Sequence, residues 1–322
     1  MTFPIPSGTR DVLPDEMREL RAIEAALRAT FERLDYGEIS TPALEYEDTL
    51  ARADVGDAKP TYRLFDEQGD VLVLRSDMTV PIARVVGTRY PNAPLPLRFY
   101  YVAHAYRGVR PQRGQPREFL QGGIELVGSP SPEGTVEALN VLCAALDAVG
   151  LEGYRVGVGD ASLYPTLLDV LGIAAEDRAP ILHELYTQDF AGLERKVARL
   201  DLDPEAADLL VRVPQVRGET DVLADLAGGA ADAALAGVRA VLAGVDDKAR
   251  RRVIVDLGLA RALGYYTGAV FEVYDPALGV PLGGGGRYDE LLGRFGRALP
   301  AVGFALNVER LHIALMGEEP QP

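Results

Sequence analysis

Two blocks of strand-like sequence, separated by a long stretch of helical texture, limit this chain to very few architectures. In the first block TYRLFDEQGDVLVLRSDMT reads as a hairpin: an aromatic and aliphatic run, a polar turn containing Gly69, and the apolar run Val71 to Leu74. LPLRFYYVAHAYR and REFLQGGIELVG read as further strands joined by a Gly/Pro/Arg loop, and adjacent strands joined this way are most simply antiparallel. In the second block RRVIVDLG is a strand, YYTGAVFEVYDPALGVPLGGGGRYD a long hairpin, and the chain closes with a helix, a strand and the helix NVERLHIALMG. From about 163 to 250 the composition shifts to Ala, Leu, Asp and Arg at helical spacing with few aromatics. Strands before and after a helical block predict an α+β fold rather than the alternation of a parallel sheet. The expected organisation is a discontinuous core domain, residues 1–162 and 251–318, carrying a helical insertion at 163–250. Met17, Leu20, Ile23, Leu27, Phe31 and Leu34 predict an amphipathic helix stopping at a glycine, and SPEGTVEALNVLCAALDAV a second helix opened by Ser131.

Composition removes several function classes. The formal net charge of −15 disfavours a large polyanionic partner. No apolar run approaches the length that spans a bilayer, and MTFPIPSGTRDVLPDE has neither a signal-peptide core nor a transit-peptide character, so no membrane association and a cytoplasmic location are expected. The single cysteine, Cys143, lies in an apolar periodic stretch and reads as a small buried hydrophobe. His104, His183 and His312 are too scattered for a spacing-defined metal site, and the glycines 283–286 lack a P-loop or dinucleotide context. No metal or cofactor is expected.

The residues equipped for chemistry cluster around RGVRPQRGQPREFLQGGIE, residues 107–125. If its second half is a strand, Arg117, Phe119, Gln121, Gly123 and Glu125 share one face, and Glu118, Leu120, Ile124 and Leu126 the other. An arginine, an aromatic ring, an amide, a glycine gap and a carboxylate in line fit a small zwitterion or a nucleotide. The same face also fits a solvated sheet surface with a local Arg–Glu pair. Asp77 and Thr79, just after an apolar strand, suit an ammonium group or a helix cap. Arg261, Tyr265 and Tyr266 lie near a glycine turn, where paired tyrosines also serve plain sheet packing. Arg287 and Arg310 fit either a site or surface ion pairs.

In order, PSGTRDVLP, TPALEYEDTL, LRSDMT, FYYVAHAYRGVRPQRGQPREFLQGGIE, ALGYYTGAVFE and GGGGRYDELLGRFGRALPAVGFALNVERL resemble the catalytic domain of histidyl-tRNA synthetase, a class II aminoacyl-tRNA synthetase, over essentially the whole chain. The resemblance implies a central antiparallel sheet flanked by helices, usually dimeric, with a histidine pocket beside an ATP pocket. The departures point within that family. No anticodon-binding domain, a unit of about a hundred residues, is expected. Val109 replaces a glutamate that reads adenine, and Arg261-Ala262-Leu263-Gly264-Tyr265-Tyr266 has lost an acid. The D-M-T-x-P-I-A-R stretch at Asp77–Arg84 is similar to the regulatory-subunit family of ATP phosphoribosyltransferase, apart from Ser76, where proline is usual. That likeness implies a non-catalytic chain, no tRNA, a short-form catalytic subunit as partner, a homodimer within a hetero-oligomer, and L-histidine as effector. It places Asp77 and Thr79 at the ligand's α-ammonium, Gln121 and Arg107 at its carboxylate side, and Glu125 and Tyr266 around the ring, with Tyr265 also in the histidine-binding set. Arg117, Arg261 and Arg310 would be a relic nucleotide or anion site. An amino-acid-adenylating enzyme without an anticodon domain is the alternative.

Overall fold

The computed structural model describes residues 3–53, 61–108, 116–226, 228–259 and 265–317; Val109 and Arg261 lie outside them. The chain runs through α1 (Pro14–Arg33), β1 (Gly37–Glu38), β2 (Leu44–Tyr46), α2 (Glu47–Ala51), β3 (Arg63–Phe65), β4 (Val71–Leu74), α3 (Thr79–Arg89), β5 (Leu97–Tyr106), β6 (Glu118–Val127), α4 (Glu133–Ala148) and β7 (Arg155–Asp160). Next come α5 (Leu163–Val170), α6 (Ala175–Thr187), α7 (Phe190–Val197), α8 (Pro204–Arg212), β8 (Arg217–Gly218), α9 (Gly229–Gly244) and α10 (Asp247–Arg250). The last stretch holds β9 (Val253–Asp256), β10 (Ala269–Tyr274), β11 (Gly283–Arg287), β12 (Ala301–Asn307) and α11 (Val308–Met316).

Nine strands form the main sheet in the order β1-β5-β6-β12-β11-β10-β7-β9-β8. Every pairing from β5 to β7 is antiparallel, as the hairpin pattern requires. Two parallel pairings, β1 with β5 and β7 with β9, flank that centre. The hairpin around Gly69 does not join this sheet; with β2 it makes a separate three-stranded sheet.

Strand alternation assigns the two faces of the main sheet. On one, Ile124 and Leu126 of β6 pack with Leu20, Ile23, Leu27 and Phe31 of α1 and with Leu139 and Leu142 of α4. The same continuous cluster includes Leu167 of α5 and Leu235 and Val238 of α9, so the segment 163–250 packs onto the core through its apolar stripes. On the other face a smaller cluster gathers Met78, Ile82 and Val86 with Tyr101, Tyr265, Tyr288 and Leu292. That second face is only partly covered, and the space left is where the site lies. Among the described residues no helix is long and apolar enough to cross a membrane.

Three local expectations are corrected. Helix α1 ends at Arg33 and not at a glycine: Asp35 takes the left-handed conformation at φ 63°, which a short polar side chain tolerates. Ser131 does not cap α4, which begins at Glu133; the Gly134 and Val136 N–H groups bond Pro130 O and Pro132 O at 2.8 and 2.9 Å instead. The helix expected before β12 is a single 3₁₀ turn, Leu292–Phe295, closed by Gly296 at φ 96°.

That short turn seats α3. A Cβ on Gly87 would lie 2.0 Å from Phe295 O, a backbone atom that cannot swing aside. A helical Gly→Ala change ordinarily gains up to about 1 kcal/mol, whereas overpacking costs about 1–3 kcal/mol. Gly87→Ala is therefore expected to lower the urea-unfolding midpoint; a raised midpoint would mean that α3 and the turn part freely.

Candidate functional site

Residues from seven elements or their flanks surround a cavity of about 320 Å³ on the partly covered face, within the usual range for small-molecule sites. The alternation of β6 delivers Phe119, Gln121 and Glu125 to it while Ile124 and Leu126 point into the helical core. Asp77 and Thr79 reach it from the start of α3, Tyr265 and Tyr266 from ahead of β10, and Arg107 and Arg310 from the end of β5 and the first turn of α11.

Glu125 is the most tightly held of these groups. Its carboxyl is 1% exposed; Thr79 Oγ1 donates to Oε1 at 2.7 Å, and the Tyr288 hydroxyl donates to Oε2. On β12, opposite it, stands Gly303, where a Cβ would sit 1.9 Å from Glu125 Oε2, so only glycine leaves room for the acid. Burial pushes the Glu125 carboxyl up to about 8, against the pull of Tyr288 and Thr79, with the Asp77 charge adding to the rise. Because this value lies above that of the unfolded chain, the native state favours low pH here. The stability associated with Glu125 is fully present below the ordinary carboxylate range and is lost as pH rises through about 8. Tyr101, Tyr265 and Tyr288 are pushed well up, first by burial and then by neighbouring carboxylates and phenols. They form a neutral aromatic wall, with Tyr265 edge-on to Tyr266 and Tyr288 at centroid distances of 5.0 and 5.8 Å. Asp77 is both a cap and a site residue: its Oδ1 accepts from Val80 N–H at 3.2 Å while the side chain lines the cavity.

Among the described residues the cations of the cavity gather elsewhere. Arg107 stacks on Phe119, 4.7 Å from the ring centroid, six residues or about 20 Å of strand from Glu125. Arg310 donates from Nη1 to Pro281 O at 2.5 Å, and its guanidinium is held below its usual value by burial and by Arg107. Gln121 stands between the two ends with its Oε1 buried and unbonded in the structure, an acceptor suited to a donor on a ligand. The cavity is thus acidic at one end, basic at the other and polar between them.

The structure brings together Asp77, Thr79, Arg107, Gln121, Glu125, Tyr265, Tyr266 and Arg310. It leaves Arg117 outside the lining; the residue precedes β6, with its N–H bonded to Gly8 O at 2.8 Å. Arg287 faces away from the cavity, 3% exposed, bonding Asp289 at 2.9 Å and Ser129 O at 3.1 Å, so it is neither a site residue nor a surface ion pair. Sequence reasoning missed Tyr101, Glu272 and Tyr288. For Tyr288 a signal existed: residue 287 singled out the β11 end, and alternation puts its neighbour on the opposite side. No group of three or more His, Cys, Asp or Glu among the described residues is placed to hold a metal ion.

The family model for histidyl-tRNA synthetase matches residues 8–311. A protein of Symbiobacterium thermophilum named ATP phosphoribosyltransferase regulatory subunit is 39% identical over 98% of this chain and 80% of its own length. A namesake from Rubrobacter xylanophilus is 39% identical over 99% of this chain and 78% of its own. The crystal structure of an ATP phosphoribosyltransferase regulatory subunit/histidyl-tRNA synthetase from Bacillus halodurans superposes with a TM-score of 0.89 at 33% identity, over 98% of this chain and 84% of the other. The chain belongs to the ATP phosphoribosyltransferase regulatory subunit family, built on the histidyl-tRNA synthetase fold.

Proposed function

We propose that this chain is the non-catalytic partner of a short-form ATP phosphoribosyltransferase, required for the first step of histidine biosynthesis and for its inhibition by histidine. The observation that carries the reading is the cavity: an amino-acid-sized site with the amine- and ring-facing groups Asp77, Thr79, Glu125 and Tyr266 in one lining. The α-ammonium falls to Asp77 and Thr79, the carboxylate side to Gln121, and the ring to Glu125 with Tyr265 and Tyr266; Arg107, stacked on Phe119 about 20 Å of strand from Glu125, is out of reach of the same ligand. Regulation then needs only that histidine bind two assembly states with different affinity; a coupling of about 1–3 kcal/mol suffices. A homodimer inside the hetero-oligomer and a cytoplasmic setting complete the proposal. The net charge of −15 fits a chain that meets no tRNA.

One observation favours the adenylating reading: Arg107 and Arg310 lie in the same cavity as the amino-acid groups. Histidine-dependent exchange of pyrophosphate into ATP by the isolated chain would establish it.

Formation of phosphoribosyl-ATP by the short-form subunit of the same organism, with and without this chain and with histidine titrated in, tests the proposal directly. Activation by the chain together with inhibition by histidine is expected; a rate unchanged by the chain rejects it. Glu125→Ala removes a buried hydrogen-bonding acid, a loss of about 1.5–3 kcal/mol or roughly 10- to 150-fold in histidine sensitivity. The complex should still elute intact in size-exclusion chromatography, and undiminished inhibition would take Glu125 out of the effector site.

A further inference from the structure

Who holds the proton at the acidic end of the cavity determines what that end can recognise. Glu125 is enclosed on every side. Asp77 and Thr79 face the acidic end from α3, Tyr101 from β5, Tyr265 and Tyr266 from ahead of β10, and Tyr288 from beyond β11. None of these is a cation. Among the described residues the charged side chain acting on Glu125 is Asp77, of the same sign, while Arg107 and Arg310 belong to the Phe119 end. Glu272 also lines the cavity and adds no positive charge. The hydroxyls of Thr79 and Tyr288 donate to the carboxyl, yet neither brings charge, and two neutral donors do not offset complete desolvation of an anion. The direction of the Glu125 shift agrees with this geometry.

We infer that Glu125 carries a proton in the empty pocket and gives it to a basic ring nitrogen of the ligand, so that the site selects an amino acid whose side chain is a neutral heteroaromatic base. With both oxygens already accepting from Thr79 and Tyr288, the acid proton has the cavity to point into. On binding, the O–H bond of Glu125 breaks as an N–H bond forms on the ring. The product is a carboxylate–imidazolium pair, with the carboxylate still held by the two hydroxyls. A buried acid acting as donor in this way needs no charged partner before the ligand arrives. An indole or phenol side chain offers no basic nitrogen, and a lysine-like side chain arrives already charged. This inference rests on the reading of the cavity as a free-histidine site.

Its signature is a proton count. An imidazole titrates near pH 6.5 and Glu125 at about 8. Between the two, the ligand arrives neutral and the acid arrives protonated, so nothing is exchanged with solvent. Below that window one of two protons must leave; above it one must be taken up. Affinity therefore peaks inside the window and falls about tenfold per pH unit well beyond either edge.

The test is calorimetric titration of L-histidine into the full-length chain in buffers of contrasting ionisation enthalpy. Expected are release of most of one proton at about pH 5.5, no exchange at about pH 7.2 and uptake of most of one at about pH 8.7. Glu125→Gln, with its unfolding midpoint checked, should bind at least about tenfold more weakly at neutral pH and lose the alkaline fall in affinity. β-(2-Thienyl)alanine, which has the ring without the basic nitrogen, should bind more weakly by a similar factor. Proton uptake at about pH 7.2 would show that Glu125 is already ionised in the empty pocket, and no uptake at about pH 8.7 would show that no group titrating near 8 supplies the proton; either would overturn the inference while leaving the histidine site standing. Absence of any histidine binding across the range would overturn the histidine reading and the inference with it.

Discussion

The two-faced character of β6 is the constraint on which the rest of the molecule depends. The strand lies inside the nine-stranded sheet, bonded to β5 on one side and β12 on the other, so it cannot slip without losing two ladders at once. A shift of one residue would bring Ile124 and Leu126 into the cavity and push Glu125 into the helical core. That second consequence is the more costly, because an acid amid Leu27, Phe31 and Leu142 would meet no donor. The pattern that packs α1 and α4 onto the sheet therefore also places the site.

Placing an acid there works against stability. Holding Glu125 ionised costs on the order of 5 kcal/mol relative to a solvated carboxylate, a large part of a typical domain's stability. Several features of the surroundings lower that cost. Thr79 and Tyr288 supply hydrogen bonds and Gly303 supplies space, while Gly87 lets α3 pack against the short 3₁₀ turn at Leu292–Phe295. These residues are separated by more than two hundred positions in the chain and meet only because β6, β11 and β12 are neighbours in the sheet.

That separation explains how much was legible beforehand. The face of β6 could be read from period-two alternation alone, and the two hairpins from their turn residues. Asp77 and Thr79 were marked by their position after an apolar strand, although local sequence could not choose between cap and site; Asp77 serves as both. Alternation after residue 287 marks the side on which Tyr288 lies, but its partner is 163 positions away, and nothing local to GGGGRYD announces that contact. Arg117 was misplaced for the opposite reason. The residue lies one position before the strand, where its backbone N–H bonds Gly8 O instead of continuing the β6 ladder on that side. The parallel pairings β1–β5 and β7–β9 were equally unreadable, since each joins segments that no short turn connects.

The separation of charge along the cavity bears on how such a fold would become a sensor, as proposed above. An adenylating enzyme must hold an amino acid and a nucleotide at once, so both ends of the site are under demand. A regulatory chain needs only the end that recognises the effector. The acidic end here is tightly constructed, with buried partners fixed from α3, β6, β11 and β12. The basic end is held differently: Arg310 spends a donor on Pro281 O and Arg107 lies against Phe119. Guanidinium groups stacked on rings and bonded to carbonyls keep their charge while giving up part of their reach toward a phosphate. On the proposed reading, recognition of an amino acid persists while the grip on a nucleotide loosens, because about 20 Å of one strand keeps the two tasks apart.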